Sequence, residues 1–459
     1  MWEWEQASWT AGCEEEEVIR HVGRIVGARA RELTAAGDRI LILAGKGHNG
    51  DDARTALPHL GGREVDLLNV ASPGEQLAAM QTLLRKRPAL ILDGLFGIGL
   101  NRALSAEWVA FIASVNEAKC PVLAIDTPSG LNADSGQPQP VAVRASITLT
   151  LGAPKVGLLV PAALPFAGRL EVAPEIGLIP FVTDADQFWT GAEDFAAYPP
   201  RRTVDSHKGT FGHVGLIAGS KGFHGAAVLC AQAAARARPG LVTVWTQAQT
   251  YAPIASQLRS AMVDEWRTGF VVPDRISALV IGPGLADPTL GDDFKSGLRN
   301  LWREFPKPLL ADASALDWLP TGTVLSRALR VITPHPGEAA RMLQTSSKSV
   351  QSNRARAVGE LSTRYGNCWV VLKGHQTMIG CAGSPAFLNS SGNPYLAQGG
   401  SGDVLAGYLG GLLAQPALQS DPGLALRYGV WRHGLAADRL SAQGRDWVVE
   451  DLVDALENR

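Results

Sequence analysis

The sequence has few cysteines and no long apolar run, and these absences exclude several classes of protein. None of its five cysteines forms a CxxC pair, so the sequence predicts neither a zinc site nor a disulfide framework. No apolar stretch reaches the roughly 18 residues that a membrane helix needs. The acidic start, residues 1–6, lacks the apolar core of a signal peptide. We therefore expect a soluble enzyme of the cytoplasm.

The sequence also lacks an excess of charge of either sign. Its formal net charge is −2 and it has no long basic run, which argues against nucleic acid or an anionic membrane as the main partner. Glycine, in contrast, is abundant, and the 50 glycines cluster in short runs. Because 459 residues exceed one ordinary core, we expect two domains.

The most informative glycine run is the stretch from Asn389 to Asp403, which leads into an apolar segment at 404–414. A glycine loop at a helix start exposes unpaired backbone N–H groups and the positive end of the helix dipole. Such a site binds anions, most often phosphate. Asp403, the one carboxylate in the run, would repel that ligand unless it accepts a proton or holds a metal. The structural alternative is that Asp403 only caps the helix.

Further strand-and-loop units precede that stretch in the second half of the chain. Each apolar strand ends in a glycine loop or a functional side chain, as in an α/β domain built from βαβ units. The strand ends lie at Gly219, Gly282, Asp312, His335 and Lys373. Two prolines fix the backbone around His335, which makes it a candidate ligand contact. Together the units predict a nucleotide-using α/β domain, and residues 181–203 read as a junction before it.

Three strand ends in the first half predict a second site. Apolar strands are predicted at 39–44, 89–92 and 121–125, and each runs into a loop. The carboxyl ends of parallel strands share one edge of a sheet, so Asn49, Asp93, Asp126 and Ser129 should converge there. A ligand set of oxygen atoms alone suits a hard cation.

The loop at 45–50 also satisfies the pattern GxGxxG, with Asp66 downstream. A dinucleotide-binding fingerprint is therefore the first hypothesis to test. However, Asp51 and Asp52 stand where the helix start would receive a pyrophosphate, and two carboxylates would oppose it. They suit hydroxyl groups or a cation better.

Residues 1 to about 38 are predicted to be helical. Apolar residues recur at helical spacing from Val18 to Val26, after an acidic first turn. The three early tryptophans, Trp2, Trp4 and Trp9, are expected to pack rather than to contact a ligand.

The loops of the first half resemble those of the YjeF N-terminal domain, the NAD(P)H-hydrate epimerase. The resemblance covers most of residues 39–180, and Asp126-Thr-Pro-Ser-Gly-Leu-Asn-Ala-Asp-Ser-Gly136 is its most specific part. It implies a Rossmann-like three-layer domain over residues 1–190, with K⁺ held by Asn49, Asp93 and Ser129. It also implies proton transfer by Asp126. The implied substrate contacts are His48, Asn49, Gly50, Asp51, Asp52, Gly97, Ile98, Gly99, Leu100, Asn101 and Arg102.

This chain departs from the family's pattern at residues 48–53, which read His-Asn-Gly-Asp-Asp-Ala where the family usually has Asn-Asn-Gly-Gly-Asp-Gly. The N-terminal helix is also shorter than in the family. An alternative for the first half is therefore a nucleotide-binding or protein-interaction module without catalysis.

The second half, residues 200–459, resembles the ribokinase-like fold and, within it, the ADP-dependent NAD(P)H-hydrate dehydratase domain. The motifs that carry the resemblance are His207-Lys-Gly, Gly282-Pro-Gly-Leu, Thr333-Pro-His-Pro-Gly-Glu, Leu372-Lys-Gly, Gly392-Asn-Pro and Gly399-Gly-Ser-Gly-Asp403. One departure is Ser314, where the family often has Asp.

By this resemblance Asp403 is the base, and Ala226, Gly284 and His335 face the hydrated nicotinamide with it. The implied ADP contacts are Lys373, Gly374, His375, Gln376, Thr377, Gly399, Gly400, Ser401 and Gly402.

Together the two halves predict a bifunctional NAD(P)H-hydrate repair enzyme. Asp403 would deprotonate the hydroxyl of the hydrate so that it attacks the terminal phosphoryl group of ADP, while the glycine amides stabilise the developing charge. ADP or ATP is the expected co-substrate, with Mg²⁺ on the nucleotide and K⁺ in the first half. We expect a homo-oligomer. The alternative from the same fold is a small-molecule kinase that releases a stable phosphorylated product.

Overall fold

The computed structural model describes residues 1–180, 184–267, 269–444 and 446–457. The chain divides into two compact units, Met1–Asp184 and Ala185–Arg459. Each unit has its own sheet and its own buried apolar clusters, so the α/β class predicted for both halves is confirmed. Among the described helices, none combines the length and apolarity needed to cross a membrane.

The first unit is built on a six-stranded parallel sheet in the order β2-β1-β3-β4-β5-β6. Its strands are β1 Arg39–Ala44, β2 Glu64–Asn69, β3 Leu90–Gly94, β4 Val122–Ile125, β5 Ile147–Leu151 and β6 Arg169–Ala173. Its α-helices are α1 Trp2–Thr10, α2 Glu15–Glu32, α3 His48–Ala56, α4 Pro73–Arg85, α5 Ala106–Glu117 and α6 Leu164–Ala167. The single N-terminal helical region predicted for residues 1–38 is thus two helices, α1 and α2.

Strand β1 explains the layers of this unit. Ile40 and Ile42 point into one apolar cluster, with residues of α2 and α3, whereas Leu41 and Leu43 point into a second cluster with residues of α4 and α5. Successive side chains of a strand face opposite sides, so a strand that is apolar throughout requires cover on both faces. The three-layer arrangement predicted for this half is confirmed.

The second unit contains a ten-stranded sheet in the order β10-β9-β8-β11-β12-β13-β14-β15-β16-β7. Its strands are β7 Gln187–Thr190, β8 His213–Ile217, β9 Leu241–Thr246, β10 Met262–Glu265, β11 Ala278–Ile281, β12 Leu309–Ala311, β13 Arg330–Ile332, β14 Trp369–Leu372, β15 Met378–Gly380 and β16 Ala386–Asn389. Only the pairs β14–β15 and β15–β16 are antiparallel. The remaining pairs among these strands are parallel.

The helices of the second unit cover this sheet. They are α7 His224–Arg236, α8 Ala248–Ala255, α9 Asp292–Glu304, α10 Pro336–Leu343, α11 Ser347–Ser352, α12 Arg354–Arg364, α13 Ser401–Leu413, α14 Pro422–Ala442 and α15 Val449–Ala455. Helix α13 packs closely on α7, because a Cβ at Gly407 would overlap the backbone of Cys230. This close packing fixes the start of α13, where Asp403 lies.

Strand β7 corrects the predicted junction. We expected residues 181–203 to form no element, yet Gln187–Thr190 pairs in parallel with β16 at the edge of the second sheet. Just beyond it, Asp194 forms an ion pair of 2.8 Å with Arg427, and Phe195 is buried in the core of the second unit. Residues 181–183 of that stretch lie outside the described residues.

Candidate functional site

The strand ends of the first unit bring Asn49, Asp93 and Ser129 together around the backbone of Phe96. The Asn49 side-chain amide donates to the Phe96 carbonyl at 2.8 Å. The Ser129 hydroxyl accepts from the Phe96 N–H at 2.9 Å and lies 2.6 Å from the Asp93 carboxylate, to which it donates. Asp93 is fully buried, and burial raises its pKa to about 6, although hydrogen bonds from Ser129 and Leu95 oppose that rise.

This cluster offers oxygen atoms of the kind that K⁺ binds. The Asn49 amide oxygen, the Asp93 carboxylate, the Ser129 hydroxyl and the Phe96 carbonyl lie on neighbouring loops. A buried carboxylate without a cation is costly, and its raised pKa reflects that cost. Hard cations prefer an oxygen set of this type, so the residues present fit the predicted ion.

Asp126 ends β4 with a left-handed backbone, at φ 66°. Its carboxylate forms a buried ion pair with Lys155 and accepts from the backbone N–H of Leu151 at 3.1 Å. Lys155 also donates to Thr150 and to the Leu151 carbonyl. Lys155 therefore orients the Asp126 carboxylate. No local sequence pattern pointed to Lys155, because it lies in a loop 29 residues further along the chain.

A cavity of about 1010 Å³ opens at this edge of the first sheet, and Asp126 lines it. The predicted substrate contacts that also line it are His48, Asn49, Asp52, Gly97, Ile98, Gly99, Leu100 and Arg102. Asn101 is exposed to solvent. Gly50 instead packs against the backbone of Gly45, and Asp51 forms an ion pair of 2.6 Å with Arg54.

Helix α1 contributes to the cavity in a way that the sequence did not predict. Trp4 is buried, and its indole N–H donates to the Ile179 carbonyl at 2.7 Å, as expected for packing. Trp2 and Trp9, however, line the cavity beside Glu5, so for these two tryptophans packing without a ligand contact stays a prediction. Glu5 is one of four acidic residues that line the cavity, with Glu15, Asp52 and Asp126.

Burial and mutual repulsion raise the pKa of two of these carboxyl groups. Burial is the main cause at both, and the charge of Asp126 adds to it. The pKa of Asp52 rises well above its ordinary value, and that of Glu5 rises as well. The cavity therefore holds two carboxyl groups that take up a proton more readily than free Asp and Glu do.

The dinucleotide fingerprint at residues 45–50 has no ribose-binding carboxylate in this structure. Asp66, the downstream acidic residue, lies on β2 and forms ion pairs with Arg39 at 3.0 Å and with Lys86 at 2.9 Å. A carboxylate that pairs with two cations is not available to accept a hydrogen bond from a ribose hydroxyl. The GxGxxG hypothesis is therefore not supported.

In the second unit, Asp403 lies in the first turn of α13. The helix begins directly after Gly400, whose backbone is left-handed at φ 95°. Burial raises the pKa of Asp403 to about 7, and the charges of Asp312 and Glu338 add to this, whereas Lys373 lowers it. A carboxylate with this pKa is suited to accept a proton near neutral pH. A simple helix cap needs no such environment.

Lys373 lies beside this carboxylate and is shared by acidic partners. Its ammonium group is 2.7 Å from Asp312 and 3.8 Å from Glu338. A Cβ at Gly402 would lie 3.3 Å from the same ammonium, so the lysine reaches the start of α13. Burial lowers the pKa of Lys373, but the charges of Asp312 and Glu338 outweigh that effect and leave it above its ordinary value.

The sequence predicted Lys373 as a nucleotide contact but not its pairing with Asp312. Asp312 also accepts from the Thr333 hydroxyl at 2.7 Å, and the two lie at the ends of neighbouring strands, β12 and β13. The sequence signal for Asp312 as a site residue was its position at the end of a predicted strand. The side-chain partner was not visible, because 61 residues separate Asp312 from Lys373.

Arg354, at the start of α12, supports the loop at 373–377 through hydrogen bonds to its backbone. The guanidinium group of Arg354 donates to the carbonyl of Leu372 at 2.8 Å and to that of His375, and Thr377 donates to the Gly374 carbonyl at 3.0 Å. Gly374 has a φ of 132°, a conformation that favours glycine.

Helix α14 fixes the glycine loop, residues 389–403, near both of its ends. The Asp438 carboxylate accepts from the backbone N–H of Gly392 and from the side-chain amide of Asn393, each at 3.0 Å. The buried imidazole of His433 lies 3.1 Å from the Ser401 carbonyl. Burial lowers the pKa of His433 to about 4, so the neutral ring donates through Nε2–H.

The predicted nicotinamide contacts are partly assembled. Ala226 and Gly284 are adjacent, since a Cβ at Gly284 would lie 3.0 Å from that of Ala226. The Ser220 hydroxyl donates to the Gly284 carbonyl at 2.6 Å and joins the two loops. His335 begins α10, and its Nδ1 accepts from the Gly337 N–H at 3.0 Å. Its ring is thus a helix cap whose other face is half exposed.

Family comparisons match both halves. Residues 214–457 match the family described as NAD(P)H-hydrate dehydratase, and residues 68–157 match the YjeF-related protein N-terminus. The bifunctional NAD(P)H-hydrate repair enzyme of Coxiella burnetii is 33% identical over 96% of this chain and 94% of its own length. That of Escherichia coli is 34% identical over 91% of this chain and 84% of its own.

Among solved structures, the ADP/ATP-dependent NAD(P)H-hydrate dehydratase of Bacillus subtilis, co-crystallised with ATP and Mg²⁺, covers 56% of this chain and 91% of its own, with 30% identity and a TM-score of 0.51. A ribokinase-like superfamily protein of Enterococcus faecalis is 25% identical, covers 61% of this chain and 96% of its own, and has the same TM-score. These matches confirm the ribokinase-like fold predicted for the second half. They favour hydrate repair over the small-molecule kinase alternative. The chain belongs to the family of bifunctional NAD(P)H-hydrate repair enzymes.

Proposed function

We propose that this chain restores hydrated NADH and NADPH by an ADP-dependent dehydration in its second unit. Asp403 takes the proton of the substrate hydroxyl, and the hydroxyl oxygen attacks the terminal phosphoryl group of the nucleotide. The phosphate ester then leaves with the C–O bonding electrons, and loss of a ring proton restores the double bond. AMP and phosphate are the other products. The observation that carries this proposal is a single carboxylate, with its pKa raised to about 7, in a glycine loop beside Lys373.

The N–H groups at the start of α13 and the ammonium group of Lys373 are the chain's own anion-binding groups at this edge. They stabilise negative charge on the phosphoryl group as it transfers. A relative co-crystallised with ATP and Mg²⁺ supports nucleotide and Mg²⁺ use. Asp312 and Glu338 would supply the carboxylate oxygens that Mg²⁺ prefers, and the bound ion would neutralise phosphate charge. ADP as the preferred nucleotide is part of the proposal.

For the first unit we propose epimerisation of the hydrate, with Asp126 as a proton-transfer group and K⁺ at Asn49, Asp93 and Ser129. The cavity beside Asp126, the buried ion pair with Lys155 and the oxygen cluster around Phe96 support this role. The bound ion would neutralise the buried carboxylate of Asp93 and order the loops that line the cavity. Assembly as a homo-oligomer and residence in the cytoplasm are further predictions.

The decisive experiment supplies purified protein with mixed epimers of NADH hydrate, first with ADP and then with ATP, and follows the absorbance of reduced nicotinamide. Full recovery, beyond a protein-free control for spontaneous epimerisation, supports both activities. Recovery that stops at the share of one epimer overturns the epimerase, and no recovery with either nucleotide overturns the dehydratase. The kinase alternative would instead give a stable phosphorylated product.

We predict that Asp403→Asn abolishes the dehydration while ADP binding remains near the wild-type value. Asn keeps the size and shape of the side chain but cannot take the proton, and no capping bond is lost because Gly400 is the N-cap of α13. The matched control is Asp293→Asn, which changes an exposed first-turn aspartate of α9 and should leave turnover unchanged. Calorimetric titration with ADP measures binding. Normal turnover by Asp403→Asn would show that Asp403 is only a cap.

A further inference from the structure

We infer that Glu5, on α1, is the general acid of the first site and acts opposite Asp126. The inference rests on the proposed epimerase function and assigns a second catalytic residue to it. Nothing in the strand-end loops supplies this group. It comes from the N-terminal helix, which places the Glu5 carboxyl in the same cavity as Asp126 and Asp52.

Epimerisation of the hydrate needs both an acid and a base. Water adds to the reduced ring so that the hydroxyl lies on the carbon next to the ring nitrogen. To invert that carbon, an acid protonates the hydroxyl, the C–O bond breaks and the electron pair leaves with water. The nitrogen lone pair stabilises the resulting cation. Water then adds to the opposite face and gives a proton to a base. The acid gives one proton to the departing hydroxyl, and the base takes one proton from the added water, so the substrate has no net gain of protons. Transfer of a proton from the base back to the acid then restores the enzyme.

Asp126 is placed to be the base and not the acid. It forms a buried ion pair with Lys155, and its carboxylate also accepts from the Leu151 N–H at 3.1 Å. Both contacts come from hydrogen-bond donors, which a carboxylate accepts. We therefore assign the part of the base to Asp126.

Glu5 has the opposite surroundings. Its side chain is partly buried, and among the described residues no hydrogen bond to the carboxyl group contributes to its pKa. Trp4 holds α1 in place through its bond to the Ile179 carbonyl, and Ser8 assists through the Ile179 N–H at 3.4 Å. The helix is therefore anchored on one face and presents Glu5 to the cavity on the other.

The surroundings of Glu5 raise its pKa, chiefly through burial. Burial and then the charge of Asp126 raise its pKa, whereas the amino-terminal ammonium group, Lys155 and His48 lower it, with a net rise. Asp52 is the other carboxyl group in the cavity whose pKa rises, but it is only 7% exposed, whereas Glu5 is partly exposed. Glu5 can therefore exchange a proton with water more readily than the buried Asp52. Pairs of carboxyl groups with opposite environments divide the acid and base roles in this way.

The test uses the full-length protein and one purified epimer of NADH hydrate, with epimer interconversion followed by chromatography. Glu5→Gln should slow interconversion by roughly 100-fold or more, the usual contribution of a general acid. Glu3→Gln, an exposed carboxyl on the same helix, is the matched control and should retain the wild-type rate. Dehydration of the accepted epimer by the same samples should be unchanged for both variants, because that site lies in the second unit. Thermal unfolding that matches the wild type shows that the first unit of each variant is folded.

The pH profile separates a catalytic from a structural role. The wild-type rate should fall as the pH rises through the pKa of the acid, because the acid must be protonated, and the residual rate of Glu5→Gln should lack that fall. Interconversion by Glu5→Gln within about twofold of wild type overturns the inference, as does a lost pH limb in Asp52→Asn alone. If the wild-type protein does not interconvert the epimers, the proposed epimerase function fails first.

Discussion

At the scale of single residues, Asp403 owes its chemistry to the charges around it. Burial and Asp312 raise its pKa to about 7, and Lys373 opposes them. A base acts in its ionised form, so the dehydration rate should rise with pH through about 7 and level off above it. Below that pH, each unit should cost about tenfold in rate.

We predict that Asp312→Asn moves the acid limb of this profile to lower pH, by roughly one unit. The substitution removes a negative charge that raises the pKa of Asp403 and leaves the opposing charge of Lys373 in place. Asn keeps an oxygen that can accept the Thr333 hydroxyl. The measurement is the pH dependence of kcat/KM for the hydrate. An unshifted limb would show that Asp312 does not govern the titration of Asp403.

The residues that sequence reasoning missed share one property. Lys155 pairs with Asp126 across 29 positions, and Asp312 pairs with Lys373 across 61. A strand that ends in Asp is visible as a local pattern, whereas the identity of its partner depends on which loops the fold brings together. Glu5 was hidden for a further reason. An acidic residue near a chain start is usually solvent-exposed, and only the placement of α1 over the sheet edge distinguishes it.

At the scale of elements, the central strands were predictable and the edge strands were not. The strands β1, β11 and β14 read as short apolar runs because residues on both of their faces are buried. In contrast, β7 and β10 carry exposed residues at two of their four positions, and their sequences give no clear period. The hairpin strands β15 and β16 were also not predicted.

Because β7 pairs with β16, we predict that the second unit needs the residues from 185 onward for its full stability. A fragment of residues 200–459 lacks β7, the Asp194 partner of Arg427 and the buried ring of Phe195, which packs on Tyr428 at a centroid distance of 5.4 Å. We expect its free energy of unfolding to be lower than that of a 185–459 fragment by about 3 kcal/mol or more, the cost of losing one buried aromatic side chain. Urea denaturation of the two fragments measures the difference. Equal midpoints and slopes would place β7 outside the cooperative unit.

At the scale of the whole molecule, the two sites lie in separately built cores. The oxygen cluster and the cavity belong to Met1–Asp184, and the Asp403 site belongs to Ala185–Arg459. The family membership of both halves explains why one chain carries them. An enzyme that dehydrates one epimer restores a mixed pool only when the other epimer can be converted.

We predict that an equal mixture of Asp126→Asn and Asp403→Asn proteins restores mixed NADH-hydrate epimers completely, although neither does so alone. Each variant keeps one intact site, and the hydrate is free to diffuse between molecules. The reading is the final absorbance of reduced nicotinamide, compared with the wild type at the same total concentration. A mixture that stops at the level of Asp126→Asn alone would mean that the sites must act within one chain.

The charges around Lys373 make nucleotide binding in the second site depend on cations. Asp312, Glu338 and Asp403 surround a single ammonium group, Lys373. When all are ionised, the empty site is anionic, and a nucleotide adds further negative charge to it. Binding is then thermodynamically linked to the uptake of a compensating cation, either Mg²⁺ on the phosphates or a proton on Asp403. Repair of nicotinamide nucleotides by this chain should therefore track the free magnesium concentration as well as the supply of ADP.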